Sequence, residues 1–122
     1  MVWTWTARKI AKLIRENGVL GKIASLYVAS GHAVTLNVKV GEHRVDIVAS
    51  KDNVKYAIKT HLTSNPVTPK EVEEIANVSS KLNAKPTLLI YGSAKIPEET
   101  LSKAKELGVK LKRVRKITLT PH

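Results

Sequence analysis

The 122-residue chain carries 21 Lys and Arg against 10 Asp and Glu, a formal net charge of +11. Its length suits one compact core, so we expect a single domain over residues 1–122. The absence of cysteine excludes disulfides and thiolate metal sites. No apolar run has the length of a membrane span, and we expect a soluble, cytoplasmic protein without a membrane partner.

The positive charge is the strongest compositional signal. A surplus of this size attracts polyanions through counterion release, which makes nucleic acid, and DNA first, the expected partner. An anionic membrane is the second candidate. Alternatively, the charge belongs to the solvated surface of a thermophilic protein, which the abundant Lys and the absence of Cys and Gln also suggest.

The first third of the chain predicts helices followed by a strand. Thr6 can cap one helix, and residues 19–30 form a second helical run that ends at Gly31. The two runs could also be one bent helix. The alternation over residues 33–40 then predicts a strand with one buried face. Residues 1–18 are therefore expected to be a helical extension that precedes a core over residues 19–114.

The segment 41–62 predicts two strands joined by a turn at residues 51–53. In the first strand three apolar residues should share a face: Val45, Ile47 and Ala49. If the strands pair as a hairpin, Asp46 can lie near the ends of Lys59 and His61. A lone acid beside two basic side chains is a candidate chemical site.

Two helices and two strands are predicted in the second half. Residues 68–71, Thr-Pro-Lys-Glu, form a capping box with proline at the first helical position. The apolar run 87–91 is typical of a strand buried on both faces. A second helix opens at Pro97, and three of its residues should face inward: Leu101, Ala104 and Leu107. With an edge strand over 109–114, the order α(α)βββαβαβ predicts an α/β fold, a mixed central sheet with helices on both faces.

The last strand and the tail, residues 115–122, are basic and contain no acid. Their cations are candidate phosphate contacts: Lys110, Lys112, Arg113, Arg115 and Lys116. Alternatively, these charges discourage edge-to-edge association of sheets.

Five segments carry a family resemblance: Gly31-His32-Ala33-Val34, Val45-Asp46-Ile47-Val48-Ala49, Tyr56-Ala57-Ile58-Lys59-Thr60-His61, Asn65-Pro66-Val67-Thr68 and Ala104-Lys105-Glu106-Leu107-Gly108-Val109-Lys110-Leu111. The chain resembles the restriction endonuclease-like PD-(D/E)XK superfamily, in particular Mrr-type restriction endonucleases and archaeal Holliday junction resolvases. The resemblance implies a divalent ion, usually Mg²⁺, held by an Asp on the second strand and an acid on the third. It further implies a Lys two residues beyond that acid and, in many members, a Glu from the preceding helix.

Carried onto this chain, the family pattern is altered at three of its four positions. Asp46 fits the first acid, but the second acid falls on Lys59, the lysine on His61 and the helix acid near Lys22. One Asp beside an ammonium offers little net negative charge to hold Mg²⁺. We therefore expect a catalytically inactive relative that needs no cofactor and binds DNA through a basic groove, as a homodimer or as a subunit of a complex. The groove residues would be Lys22, Lys39, Arg44, Lys59 and His61.

Other interpretations remain open. Asp46 and Lys59 could form a structural ion pair. The chain could be an active Mg²⁺-dependent endonuclease with a rearranged site, in which Glu42, Asp46 or Asp52 collects the ion. It could also be a protein-interaction module. A second carboxylate within coordination reach of Asp46 would favour the enzyme.

Overall fold

The computed structural model describes residues 18–114. They form a five-stranded mixed sheet, with its strands in chain order and helices on both faces. In chain order the elements are α1 (helical over 18–29), β1 (Ala33–Val40), β2 (His43–Lys51), β3 (Val54–His61), α2 (Pro69–Leu82), β4 (Lys85–Tyr91), α3 (Glu98–Leu107) and β5 (Lys110–Val114). The first three strands are antiparallel, and β3, β4 and β5 are parallel. The α/β class and the element order are thus confirmed. The predicted helix capped by Thr6 lies outside the described residues.

The hairpin between β2 and β3 turns on two residues, one fewer than predicted. Asp52 and Asn53 both have positive φ, 52° and 66°, as a two-residue turn requires when it follows the right-handed twist of its strands. Lys51 belongs to β2, where it pairs with Val54.

In β1 and β2, the alternation of side chains between the two faces of the sheet is interrupted at one position. The ladder pairs Leu36 with Ile47 and Val38 with Val45, but it skips Asn37, whose φ is 53°. On one side of this break Ile47 packs toward α1, whereas beyond it Val45 packs toward α2 and α3. The prediction that Val45 shares a face with Ile47 and Ala49 was therefore wrong, because strict alternation does not continue through a break in the ladder.

The capping box of α2 is formed as predicted. The backbone N–H of Glu71 donates to the Thr68 hydroxyl, the Thr68 N–H donates to the Glu71 carboxylate, and Pro69 begins the helix. The helix ends at Asn83, which adopts the left-handed conformation. β4 begins two residues earlier than predicted and includes Pro86, near its first residue, where proline is tolerated.

The inward face of α3 differs from the prediction. Ala104 is buried, but Leu101 and Leu107 are 48% and 39% exposed. Thr100 takes the inward position instead, because its hydroxyl donates to the backbone oxygen of Val67 at 2.7 Å. A buried hydroxyl with an acceptor is stable there, which the apolar pattern alone did not indicate.

Two apolar layers cover the sheet. On one face, Ile23 and Ala24 of α1 pack against Ile58 and Leu89. On the other, helices α2 and α3 bury Ile75 and Ala104 against a cluster that includes Leu88 and Ile90. The alternate residues of β4 therefore serve both layers, as predicted for a strand buried on both faces. Within residues 18–114, no helix is both long and apolar enough to span a membrane.

Candidate functional site

A polar pocket of about 300 Å³ lies between the β1–β2 turn, the end of β3 and helix α2. We call it the Asp46 pocket. Its lining residues are Glu42, His43, Arg44, Asp46, Lys59, Glu74, Ile75 and Val78. The structure therefore brings together Asp46, Lys59 and Arg44 among the site residues predicted from the sequence.

Asp46 lies at the point where β2 and β3 separate. Its Oδ2 accepts the backbone N–H of Thr60 at 2.8 Å and the hydroxyl of Thr60 at 3.0 Å. The β2–β3 ladder ends at Ile47 and Ile58, so the carboxylate replaces the strand partner that Thr60 lacks on that side. One oxygen of Asp46 thus serves as a structural acceptor at the opening of the hairpin.

Lys59 lies opposite Asp46 when the register of the hairpin is continued by one residue beyond Ile47 and Ile58. Its ammonium is 3.7 Å from Oε2 of Glu74, on α2. The ion partner that the structure gives Lys59 is therefore Glu74, rather than the Asp46 considered from the sequence. Both side chains of the pair are partly exposed, and such a pair contributes little to stability.

His61 does not enter the Asp46 pocket. It is 6% exposed and lines a neighbouring pocket between the end of β3 and the start of α2. Its Nδ1 is 2.7 Å from Oε1 of Glu71, and its Nε2 is 2.6 Å from the backbone oxygen of Asn65. Each ring nitrogen of His61 therefore faces an acceptor oxygen. His61 therefore joins β3, the following loop and α2, and its ring nitrogens are occupied.

The capping carboxylate completes this connection. Burial raises the pKa of Glu71, but the hydrogen bonds from His61 and Thr68 lower it by more, so its pKa lies below the ordinary value of 4.5. A charged Glu71 accepts from His61 and from Thr68 at once.

The other candidate phosphate contacts are dispersed. Lys39 pairs with Arg44 across β1 and β2, both are exposed, and Arg44 lines the Asp46 pocket. Lys22 lies on α1, across the sheet from that pocket. Arg113 donates to the backbone oxygens of Gly92 and Ala94, each at 2.7 Å.

Lys110 and Lys112 are exposed on β5, and Nζ of Lys112 lies 5.6 Å from the centroid of the Tyr27 ring. The remaining two predicted contacts, Arg115 and Lys116, lie outside the described residues.

Three residues of these pockets were not predicted from the sequence. Glu71 was predicted only as a member of the capping box, and Glu74 and Thr60 were not assigned to a site. A signal existed for Glu71, because the capping box fixes its position close to the end of β3. Nothing in the sequence indicated Glu74, whose place depends on how α2 packs on the sheet.

The side chains present do not match the Mg²⁺ ligand set that the family resemblance implies. Lys59 lies opposite Asp46 where that set requires an acid, and the Asp46 carboxylate is engaged with Thr60. Within the described ranges, no three side chains of His, Cys, Asp or Glu are grouped so as to hold a metal ion. A lysine ammonium supplies a positive charge rather than the anionic oxygen that Mg²⁺ prefers.

Solved structures similar to this chain include AF1548, a protein of unknown function, which is 26% identical over 75% of this chain and 54% of that chain, with a TM-score of 0.60. SfsA from Pyrococcus furiosus, solved in complex with Ca²⁺, is 15% identical over 78% of this chain and 55% of that chain, with a TM-score of 0.58. EndoMS in a complex with dsDNA is 10% identical over 93% of this chain and 46% of that chain, with a TM-score of 0.52. The chain spans about half the length of these structures. The last two likenesses show the fold alone.

The sequence comparison identifies the family. No curated protein is significantly similar to the chain. The model of the Mrr catalytic domain, described as restriction endonuclease, matches residues 21–119, which include the whole sheet and the Asp46 pocket. The chain therefore belongs to the Mrr catalytic-domain family, within the restriction endonuclease-like superfamily.

Proposed function

We propose that this protein binds DNA through the Asp46 pocket and its basic rim without cleaving it. The observation that carries the proposal is the position of Lys59, which lies opposite Asp46 and pairs with Glu74. Hydrolysis in this superfamily needs a metal held by two acids, and the Lys59 ammonium, paired with Glu74 in the same pocket, competes with such a metal for negative charge. The pocket therefore carries a cation of its own at the position where the superfamily pattern has an acid.

The rim supports an anionic ligand. Lys39 and Arg44 are cross-strand neighbours, and like charges directly opposite each other destabilise a sheet. Both are exposed, so a phosphate can approach and neutralise them together. The structural likeness to EndoMS in its dsDNA complex makes double-stranded DNA the first ligand to test.

The test is one gel experiment on labelled linear duplex, single-stranded and four-way-junction DNA, with Mg²⁺, Mn²⁺ or chelator. We expect a mobility shift without cleavage, unaffected by metal and weakened by salt, because phosphate contacts release counterions. Arg44→Glu should weaken binding about tenfold at low salt. Lys81→Glu is the matched control, since it makes the same charge change at an exposed position on the last turn of α2.

Asp46→Asn is the informative variant for cleavage. Its amide oxygen can still accept from Thr60, whereas its charge for a metal is lost. Under this proposal the wild type and Asp46→Asn behave alike. Cleavage that requires metal and disappears in Asp46→Asn would refute the non-cleaving assignment.

A second candidate function is an active nuclease with a displaced acid. Glu42 and Glu74 line the same pocket as Asp46, so carboxylates are present near it. Metal-dependent cleavage that is lost in both Asp46→Asn and Glu74→Gln would favour this function. Cleavage that survives Glu74→Gln would exclude Glu74 as the replacement acid.

The expected homodimer, or subunit role, also stays a prediction. Its measurement is the mass of the protein in solution by light scattering, alone and with DNA.

A further inference from the structure

Charge is segregated between the two layers of the described structure. Helices α2 and α3 carry six glutamates, three on each helix. In contrast, α1 over residues 18–29 contains no acid, and its one charged residue is Lys22. The glutamates of the described helices therefore lie on the α2 side, and α1 brings no acid to the other side of the sheet.

Four lysines of the sheet share that side: Lys51, Lys85, Lys110 and Lys112. Alternation assigns them, because Ala49, Leu89 and Val114 on the same strands pack in the α1 layer. All four are exposed, and we call this set the lysine face. Three of them gather at one end of the sheet, since Lys51 ends β2, whereas Lys85 and Lys110 begin the neighbouring parallel strands β4 and β5.

A cluster of aromatic rings lies next to the lysine face. Tyr27, His32 and Tyr56 stack edge to face, with centroids 5.5 and 5.9 Å apart. Nζ of Lys112 lies over the Tyr27 ring, and Lys51 donates to the backbone oxygen of Ser30 at 2.8 Å. These contacts fix two of the lysines, which reduces the conformational entropy lost when they bind an anion.

The lysine face is separate from the Asp46 pocket. The pocket lies on the α2 side of the sheet, and the lysine face lies on the α1 side. Asp46 is near the start of β2 and Lys51 ends it, which separates them by about 17 Å along the strand at 3.3 Å per residue. One straight duplex segment cannot lie against both faces of the sheet at once.

We propose that the lysine face is a second nucleic-acid contact surface, which binds the phosphodiester backbone of a segment distinct from the one at the Asp46 pocket. The lysine face can bind DNA whether or not the Asp46 pocket does. With both surfaces occupied, one molecule would hold two DNA segments on opposite sides of its sheet.

The chemistry of the face favours nucleic acid over an anionic membrane. Stable membrane association requires apolar side chains that insert beside the cations. Among the described residues the exposed large apolar side chains are Leu62, Leu101 and Leu107, on the loop after β3 and on α3. The lysine face has none of them, and its aromatic rings are partly buried against one another.

The test compares two double charge reversals in the full chain. Lys85→Glu/Lys110→Glu changes the lysine face, and Lys81→Glu/Lys105→Glu makes the same charge change at exposed positions on α2 and α3. Binding to a labelled duplex is measured by anisotropy over a range of salt. We expect Lys85→Glu/Lys110→Glu to bind about tenfold more weakly at low salt. The slope of its log affinity against log salt concentration should be smaller in magnitude by about 1.8, about 0.9 for each lost phosphate contact, whereas the affinity of the control should change little.

The outcomes separate this proposal from the groove proposed above. If Lys85→Glu/Lys110→Glu weakens binding and Arg44→Glu does not, the lysine face stands and the groove fails. An equal loss of DNA affinity in both double variants would show that only the overall charge matters, and would overturn the proposal. Wild-type affinity in Lys85→Glu/Lys110→Glu would overturn it as well. Tight binding of phosphatidylserine vesicles that depends on Lys85 and Lys110 would assign the face to membranes instead. Should the glutamate variant not fold, Lys85→Gln/Lys110→Gln replaces it.

Discussion

The Asp46 carboxylate is held by Thr60, which donates to its Oδ2 from both backbone and hydroxyl. These two hydrogen bonds connect β2 and β3 beyond the point where their backbone ladder ends. A side chain so engaged has a structural role that does not depend on catalysis. Its loss therefore has consequences for folding as well as for ligand binding.

We expect Asp46→Ala to lower the free energy of unfolding by about 1 to 2 kcal/mol, because the Thr60 N–H loses its acceptor in a partly buried position. Asp46→Asn should stay within about 1 kcal/mol of the wild type, since its amide oxygen can accept the same bonds. Urea denaturation measures both differences. Equal stability of all three proteins would show that water replaces the carboxylate at no cost.

At the residue scale, the sequence predicted which residues of the hairpin are neighbours, but not which side chains of α2 contact them. The hairpin register follows from local alternation and turn chemistry, so Asp46 and Lys59 could be placed together. Glu74 comes from a helix whose approach to the sheet is set by packing over more than ten intervening residues. His61 was expected in the groove because its strand position is adjacent, but its Glu71 partner directs it toward α2.

At the scale of elements, α2 is anchored by one carboxylate with three contacts. Glu71 accepts from His61 through Oε1 and from the Thr68 N–H and hydroxyl through Oε2. An amide cannot repeat this arrangement, because one of its two ends is a donor.

Glu71→Gln should therefore destabilise the protein by about 1 to 2 kcal/mol near neutral pH. Because the folded-state pKa of Glu71 is lowered, the wild-type advantage is complete above its ordinary value of 4.5 and is lost as the pH falls through the folded pKa. Thermal unfolding of both proteins from pH 3 to pH 7 measures this difference, with ~0.5 °C reproducibility sufficient to resolve it. Glu73→Gln is the control: Glu73 is an exposed partner of Lys103, and its loss should cost little at any pH. A gap that stays constant through the acid range would contradict the assignment.

Arg113 connects β5 to the loop after β4 through two backbone carbonyls. We expect Arg113→Ala to speed amide hydrogen exchange in residues 92–96 and to cost about 1 kcal/mol of stability. Arg113→Lys keeps the charge but loses the planar fork. If both variants loosen the loop while Arg113→Lys retains DNA affinity, the two roles are separated. Unchanged exchange in both would show that the loop is held by other contacts.

Element types and order were predictable because their signals are local. The capping box at residues 68–71, the buried run in β4 and the glycine stop after α3 act over a few residues each. The errors arose where tertiary contacts decide. Thr100 displaced Leu101 from the core because Val67 offers its hydroxyl an acceptor, and Val45 changed layers at the break opposite Asn37.

At the scale of the whole molecule, composition predicted an affinity for polyanions but not its distribution. The net charge of +11 is a property of the chain, whereas its arrangement depends on which layer each element joins. The described structure assigns the glutamates of α2 and α3 to one layer and the lysine face to the other.

That segregation gives the described part of the molecule an electric dipole directed across its sheet. Under the proposed DNA binding, we expect the field of a duplex to orient this dipole so that the α1 layer faces the DNA. The orienting torque is screened over about 10 Å at 0.1 M salt, and raising the salt therefore slows association as well as weakening the complex. The proposed association with DNA would thus begin on the side of the sheet that faces away from the Asp46 pocket.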